Sequence, residues 1–545
     1  MTARPEQPAL DRPASEGSVD AWLDAHTDLA ASILVVLAFA SRLWAAWGTF
    51  LNPDEALHFF IANQPSWGSA YRASLTMAHP PLLIFLIYAW RDLGTSEIVL
   101  RLPSVLAGTA FCWVFYKWLN QLFGRSVALT GLIFASLLPP LVLLSAEVRQ
   151  YELLLLFVIS AAYFLERALA ANSAGFMLLC SAFTCLSMLS HYSAFLFAAV
   201  LGIYSLWRLI NRAPTGKVVM AWIAGQTVAV ALAGFLYATH ISRIKNTSMA
   251  EQAFDSWLRK SYFHSADGSP LIFIVARTFS VFQYLLGQFV VGDIAGFLFI
   301  AGIVFLLRKQ TALPRSEPTS LQLAALLILP FASNCAAGLL DLYPYGGTRH
   351  SVFLAVFAIP GISLCVAGIS RQRKLSPIVT AVGIVFFCFA FQSVRHPYIY
   401  RADQKRDLME QAVRFVQVQI PHSAPLFVDY ESGILLGHYL CEQRPVVYED
   451  SIPGFLVFNC GGHRVVSAMH DLWAFTPQMF LQQWSDLVRN GEFSNGETIW
   501  VAQAGWIVNL DDSLRKESPQ LHDLQTNAFG KNIRFFAIKV GQTGF

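Results

Sequence analysis

The sequence predicts a polytopic α-helical membrane protein with about eleven transmembrane helices, several juxtamembrane helices and a C-terminal extracytoplasmic α/β domain. The first observation is composition: 55% of the 545 residues are hydrophobic and only 13% are charged, whereas soluble domains have about 25% charged residues. The second is the distribution of apolar residues, which form long runs up to residue 394 but not beyond it. Most of the chain is therefore expected to lie in lipid.

A transmembrane helix needs about 20 mostly apolar residues. A polar segment, residues 1–28, precedes the first apolar run without a small-residue cleavage site, so we expect an uncleaved first span rather than a signal peptide. Residues 29–394 then form the predicted membrane domain. Its apolar runs cover 29–50, 98–120, 126–147, 150–170, 174–190, 192–211, 217–240, 291–308, 320–341, 349–369 and 375–394.

Two further apolar stretches are ambiguous. Residues 79–92 are too short to span, and residues 270–290 carry Arg277 and Gln283 near their centre. Both patterns suit helices that lie at the membrane interface.

Charge in the short loops predicts the topology. With a cytoplasmic N-terminus and eleven spans, every short inner loop is basic, as the positive-inside rule requires, although the long loop 241–270 is also basic. The inner-loop residues are Arg125, Arg167, Arg208, Arg212, Lys217, Arg308, Lys309, Arg315, Arg371, Arg373 and Lys374. The net charge is only +3 and follows these loops, so the sequence gives no support for a nucleic-acid partner.

Residues 395–545 have the hydropathy of a soluble domain. Alternating helices at 403–419, 431–441 and 477–490 and strands at 425–430, 445–449, 498–504 and 532–540 predict a small α/β domain. The topology places this domain outside. Its two cysteines, Cys441 and Cys460, could pair in an oxidising compartment, but two buried free thiols fit the sequence equally well.

The acidic pair Asp54-Glu55 follows an Asn52-Pro53 break at the outer end of the first span. His58 lies four residues after Asp54, so the two share one face of a helix. The same residues also suit an ordinary helix start, with Asn52 or Asp54 as the cap and the acids complementing the helix dipole.

More polar residues are predicted at outer ends of spans, on the same side as Asp54. Each could serve only as an interfacial anchor or could contribute to a site. They are His79 in a His-Pro-Pro segment, Arg101, Glu147, Arg149, Tyr151, His191, Tyr192, Arg349 and His350.

The ordered set resembles the GT-C superfamily of integral-membrane glycosyltransferases, in particular family 39 with its protein O-mannosyltransferases and aminoarabinose transferases. Asp54-Glu55, His79-Pro80-Pro81, Arg149-Gln150-Tyr151 and Arg349 match the family's motifs over roughly residues 25–395. The resemblance implies a GT-C-like fold, a polyprenyl-phosphate-linked sugar donor, inversion at the anomeric carbon, and a bacterial inner membrane with the site facing outwards. No metal or other cofactor is expected to be required, although a divalent cation is possible.

The chemistry of such a transfer suggests a role for each residue. A base must deprotonate the acceptor hydroxyl, which suits Asp54 with help from Glu55, and the membrane boundary could raise the basicity of a carboxylate. Guanidinium and hydroxyl groups suit the leaving phosphate, and histidines could position the acceptor. The predicted phosphate ligands are Arg349, Arg149, Tyr151 and Tyr192, and the predicted acceptor or positioning residues are His79, His58, His191 and His350. Arg101 could bind phosphate but more simply closes the end of its span.

Two other classes of function remain open at this stage. A transporter or flippase for a lipid-linked saccharide should carry ionisable residues near the middle of spans, and here Arg42 and Asp341 come nearest to that position. A catalytically silent lipid-binding scaffold is the other alternative. The sequence does not identify the sugar, the acceptor or the oligomeric state.

Overall fold

The computed structural model describes residues 26–244, 254–308, 317–373, 375–393, 403–441, 452–469, 474–517 and 524–541. Within these parts, eight helices are long and apolar enough to cross a membrane. They are Thr27–Ala46, Glu97–Phe123, Tyr151–Ala171, Ala194–Arg212, Gly216–Ile244, Phe289–Arg308, Ser320–Leu339 and Arg349–Ser370, the last beginning as a 3-10 helix, Arg349–Leu354. The chain is thus a multi-pass membrane protein, as predicted.

The other three predicted spans are helices that fall short of full length: Arg125–Leu137, Ala174–Ser190 and Pro377–Ala390. The first stops because Leu138, just before Pro139, adopts an extended conformation. A short helix, Pro139–Leu144, then continues. Arg42 donates hydrogen bonds to the carbonyl oxygens of Ala135 (2.9 Å) and Ser136 (2.8 Å), which the break leaves without helical partners.

The two ambiguous stretches also form helices. Leu82–Trp90 has nine residues, too few to span. The helix Pro270–Leu286 ends at Gly287, whose carbonyl accepts a hydrogen bond from Ser393 N (3.1 Å). The hydroxyl of Thr278 in its middle lies 2.7 Å from that of Tyr345. Both contacts are with segments predicted on the outer side, as expected for an interfacial helix.

Small residues allow close packing of the helices Phe289–Arg308 and Ala355–Arg373. A side chain at Gly302 would collide with the backbone of Gly361, so the two helices meet almost backbone to backbone. This contact braces the helix that begins just after Arg349. Three short helices complete the region near the acidic pair: Pro53–Ala62, Trp67–Ser74 and Leu82–Trp90.

The C-terminal region contains a six-stranded mixed sheet. The strands are β1 Leu426–Val428, β2 Phe455–Cys460, β3 His463–Ala468, β4 Thr498–Ala504, β5 Thr526–Ala528 and β6 Ile533–Lys539. Their order in the sheet is β2-β3-β1-β4-β6-β5. Strand β1 is parallel to both β3 and β4, whereas β2 and β6 are antiparallel to their neighbours. The helices are Arg406–Gln419, Tyr430–Leu440, Pro477–Arg489 and Leu510–Glu517.

Most of the elements predicted here are present, but the hairpin β2–β3, strand β5 and helix Leu510–Glu517 were not anticipated. Turn glycines Gly461 and Gly462, both with positive φ, join the hairpin. The predicted strand 445–449 lies outside the described residues. Cys441 and Cys460 form a disulfide, with Cα atoms 4.9 Å apart, that joins the end of helix Tyr430–Leu440 to β2.

The helix Tyr430–Leu440 packs on the acidic helix Pro53–Ala62 of the membrane region. The Tyr439 hydroxyl accepts a hydrogen bond from Leu51 N (2.8 Å) and donates one to Glu97 (2.9 Å). The rings of Phe59 and His438 meet edge to face, 5.0 Å between centroids. One buried apolar cluster runs through both regions, so the C-terminal region helps to fix the position of the acidic pair.

Candidate active site

The acidic helix starts with a reciprocal cap. Asn52 Oδ1 accepts from Glu55 N (3.0 Å), and Glu55 Oε2 accepts from Asn52 N (2.9 Å). Pro53 occupies the first helical position, where its missing N–H is not needed. This local chemistry fixes the directions in which Asp54 and Glu55 leave the backbone.

Glu55 is engaged on every side. Arg101 donates to both of its carboxylate oxygens (2.7 and 2.8 Å), and Val148 N donates to Oε1 (2.9 Å). Arg101 Nη1 donates to the carbonyl oxygens of Ala46 and Thr49 and to the Thr49 hydroxyl, and Nη2 also donates to the carbonyl oxygen of Phe50. Arg101 therefore caps the outer end of helix Thr27–Ala46, whereas the sequence favoured closure of the end of its own span, Glu97–Phe123.

Asp54 points the other way, towards two arginines. Its Oδ2 lies 2.8 Å from Arg349 Nη1 and also forms an ion pair with Arg149 Nη1. Burial raises the pKa of Asp54, but the positive charges of Arg149 and Arg349 outweigh it and hold the pKa below its ordinary value. The expected rise in basicity at the membrane boundary is therefore wrong for this state of the site.

Tyr151 lies beneath both guanidinium groups. Its ring centroid is 5.5 Å from the Arg149 guanidinium carbon and 5.9 Å from that of Arg349, and its hydroxyl accepts from Arg149 Nη2 (3.3 Å). Arg149 comes from the turn before helix Tyr151–Ala171 and Arg349 from the 3-10 helix Arg349–Leu354. Two distant segments thus meet at one carboxylate.

Four histidines form a stack beside the arginines. The ring centroid of His79 lies 6.1 Å from that of His58, 5.4 Å from that of His191 and 6.4 Å from that of His350. Tyr343 covers the stack, with its hydroxyl 3.4 Å from His191 Nδ1. All four histidines selected from the sequence therefore come together.

His58 also contacts the backbone of its own helix. Its Nδ1 lies 2.6 Å from the carbonyl oxygen of Asp54, and since a carbonyl only accepts, Nδ1 must carry the proton. Burial and the positive charge of Arg149 lower the pKa of His58 to about 3, so the ring is neutral at physiological pH. Burial and neighbouring histidines also lower the pKa of His79.

The remaining predicted phosphate ligand is Tyr192. The ring of Tyr192 packs against Phe195, 5.9 Å between centroids, and its buried hydroxyl has no hydrogen-bond partner among the described residues. Three residues given no role from the sequence belong near the site: Glu147, Tyr343 and Glu431.

Different signals could have identified these three residues. Glu147 belongs to the same short motif as Arg149, and Tyr343 precedes Arg349 by six positions in an outer segment. Glu431 is buried in the C-terminal region and accepts a hydrogen bond from Trp506 N. Burial and the negative charges of Asp429 and Asp54 raise the pKa of Glu431. The local sequence around Glu431 does not indicate this interaction with Asp54.

Across the described parts of the chain, no group of three or more His, Cys, Asp or Glu side chains is arranged to hold a metal ion. The expectation that transfer needs no metal stays a prediction.

Part of the chain matches a known protein family, and the whole chain is similar to solved structures. Residues 78–237 match the profile of the family described as dolichyl-phosphate-mannose-protein mannosyltransferase. This segment contains His79, Arg101, Arg149, Tyr151 and His191. No curated protein matches the chain by sequence.

The whole chain is similar in structure to ArnT from Cupriavidus metallidurans. Against the undecaprenyl-phosphate-bound form the TM-score is 0.53 at 14% identity, covering 97% of this chain and 100% of ArnT. Against the apo form the TM-score is 0.54 at 12% identity, with 96% and 100% coverage. An oligosaccharyltransferase from Archaeoglobus fulgidus matches at a TM-score of 0.45 and 12% identity, covering 76% of this chain and 63% of that protein.

ArnT is a GT-C glycosyltransferase, and its likeness extends over nearly the entire chain, including the C-terminal sheet. The family profile falls on a segment that carries part of the site, whereas Asp54 and Arg349 lie outside it. Together they confirm the resemblance predicted from the sequence motifs: part of the chain matches the mannosyltransferase profile, and the chain has a GT-C-like fold.

Proposed function

We propose that this protein is a membrane glycosyltransferase that moves a sugar from a polyprenyl-phosphate-linked donor to a lipid, glycan or protein acceptor. The observation that carries the proposal is the meeting of Asp54, Arg149 and Arg349 at one point, with neutral histidines around them. A carboxylate beside two guanidinium groups pairs a candidate base with a candidate phosphate site. The matched family and fold are those of membrane glycosyltransferases.

In the proposed reaction Asp54 is the general base. It takes the proton of the acceptor hydroxyl while that oxygen bonds to the anomeric carbon, and the bond from the anomeric carbon to the phosphate oxygen breaks with its electron pair. A single displacement of this kind inverts the anomeric centre. General-base action is worth about 10²–10⁴-fold in rate.

The leaving phosphate needs a cationic site, which Arg149 and Arg349 supply. Guanidinium groups bind phosphate oxygens through paired donors, and a buried site strengthens each contact. Tyr151 holds Arg149 through its hydroxyl and supports both cations with its ring. Tyr192 stays a candidate ligand of the lipid phosphate.

The neutral histidine stack suits the acceptor. His79 and His350 are half-buried, whereas His58 and His191 are fully buried behind them. Neutral imidazoles both donate and accept hydrogen bonds, which matches a hydroxyl-bearing acceptor. Glu55 is proposed to position Asp54 rather than touch the acceptor, because both of its oxygens are already occupied.

We further propose that the site faces outwards across a bacterial inner membrane and that the N-terminus is cytoplasmic. The support is the basic character of the short loops on the opposite side from Asp54. The C-terminal α/β domain, residues 395–545, then packs over the site from the extracytoplasmic side.

The decisive test is Asp54→Asn in purified protein reconstituted into liposomes with a polyprenyl-phosphate sugar. Transfer should fall by about 10²–10⁴-fold, because the amide cannot take the proton. Arg373→Ala is the matched control, since it removes an exposed cation distant in sequence from the site and should leave transfer unchanged. Full activity of the Asp54 variant would contradict its assignment as the base.

A further inference from the structure

The ion pair of Asp54 with its arginines is incompletely bonded, although it is buried. Arg149 has only 1% of its side chain exposed, and its Nη1 forms the ion pair with Asp54. Its Nε, however, has no hydrogen-bond partner among the described residues. Buried polar groups normally have such a partner. The geometry therefore indicates a cation placed for an additional anionic ligand.

The charges around Asp54 show what that ligand must carry. Arg149 and Arg349 bring two positive charges against one negative charge on Asp54, and the histidines described above are neutral. Burial and the negative charge of Glu55 raise the pKa of Glu147 to about 8, so this acid is largely protonated at neutral pH. Ionisable groups that interact electrostatically with Asp54 include His58, Glu147, Arg149, Arg349, His350 and Glu431. Asp54, Arg149 and Arg349 together carry a net charge of +1.

A phosphodiester supplies one negative charge and makes the site neutral. During transfer the acceptor's proton neutralises Asp54, and the leaving phosphate monoester gains charge, reaching about 1.5 to 2 negative charges at neutral pH. The negative charge that Asp54 loses thus reappears on the phosphate, between the same two arginines. The total charge of the buried site changes little throughout the reaction.

We propose that Arg149 and Arg349 are shared in turn between Asp54 and the donor phosphate, so that binding of the lipid phosphate releases the Asp54 carboxylate to take the acceptor's proton. This inference rests on the proposed function and adds a coupling to it: the donor activates the base. Without donor, the arginines hold Asp54 in a weakly basic state. Proton uptake by Asp54 is thereby disfavoured until the donor is bound.

The coupling is reciprocal, which makes it measurable. If the phosphate must displace the carboxylate from the arginines, removing the carboxylate's charge must strengthen phosphate binding. If Asp54 acted only as a catalytic base, removing its charge would not change the affinity for the phosphate. If Asp54 also helped to bind the donor, removing its charge would lower that affinity.

The experiment titrates undecaprenyl phosphate into the full-length protein in phosphatidylcholine nanodiscs. Asp54→Asn should bind this probe about tenfold more tightly than the unmodified protein, within the range usual for coupled sites. Arg349→Ala should bind it more weakly, whereas Arg373→Ala should bind it normally. Glu147→Gln is the matched control at the site, because it removes an acid that is already largely protonated, and its affinity should not change.

Unchanged or weaker binding by Asp54→Asn would overturn the exchange, as would equal tightening by Glu147→Gln or normal binding by Arg349→Ala. If Asp54→Asn does not fold, infrared difference spectra of the unmodified protein labelled with ¹³C-carboxyl aspartate provide the second measurement. Adding undecaprenyl phosphate should shift an aspartate carboxylate band, and unchanged bands would refute the proposal. If Asp54→Asn loses transfer but does not bind the phosphate more tightly, only the proposed exchange is refuted. If Asp54→Asn keeps full transfer, the assignment of Asp54 as the base is refuted.

Discussion

The neighbouring carboxylates of Asp54 and Glu55 have opposite surroundings. Glu55 binds Arg101 through two aligned hydrogen bonds and accepts two backbone N–H groups. Asp54 forms ion pairs with two guanidinium groups through one oxygen. One carboxylate is bonded through both oxygens, whereas the other shares a single oxygen between two arginines.

This difference teaches how a structural ion pair can be told from a reactive one in the same helix. A fully bonded buried pair has no capacity left for a ligand, and breaking it leaves an uncompensated charge. An incompletely bonded pair keeps donors available, so a competing anion can replace one partner. Adjacent acids in the sequence therefore support separate roles.

The largest effect on stability should follow from breaking the structural pair. Arg101→Ala leaves the buried Glu55 charge without its partner, and the free energy of unfolding should fall by about 3–5 kcal/mol. Unfolding in mixed-micelle titrations measures this change. Arg406→Ala is the control, because its half-exposed side chain lies 3.7 Å from Glu97 and such pairs are worth about 0–1 kcal/mol. An equal fall in the free energy of unfolding of both variants would contradict a structural role for the pair of Arg101 and Glu55.

A smaller effect should come from the contact of the C-terminal region with the segment before Asp54. Tyr439→Phe deletes the hydroxyl that bonds Leu51 N and Glu97. Leaving buried polar groups unpaired costs about 1–3 kcal/mol, and we expect a lower melting temperature with transfer activity largely retained. Replacing Tyr430 with Phe on the same helix is the comparison variant. A loss of transfer as large as that of Asp54→Asn would show that this contact does more than hold the helix.

The smallest expected effect is a shift in pH dependence. In the free enzyme the arginines keep the pKa of Asp54 below its ordinary value, so kcat/KM should stay high into the acid range. In the donor complex the phosphate takes the arginines and the pKa of Asp54 rises. The acid limb of kcat should therefore lie at least about one pH unit above that of kcat/KM, equivalent to about 1.4 kcal/mol. Coincident limbs would mean that the donor does not alter the base.

Local sequence was enough to predict much of the site. The Asn52-Pro53-Asp54-Glu55 segment specifies its own helix start, because capping depends on residues within one turn. The order of the His79, Arg149 and Arg349 motifs predicted a shared face, because alternating spans return the chain to the same side. The family resemblance rested on the same motifs, whereas Arg101 was expected at the end of its own span and instead binds the end of helix Thr27–Ala46.

What the sequence determined by itself was the membrane class, the position of the helices and the gathering of the polar motifs on one side, since hydropathy and loop charge act locally. Tertiary structure decided which arginine each carboxylate contacts, and it brought Glu431 of the distant C-terminal region into electrostatic range of Asp54. It also reversed the expected rise in the basicity of Asp54. Side-chain direction and electrostatic competition depend on residues hundreds of positions apart, so no local pattern could show that Glu55 pairs with Arg101 while Asp54 pairs with Arg149 and Arg349.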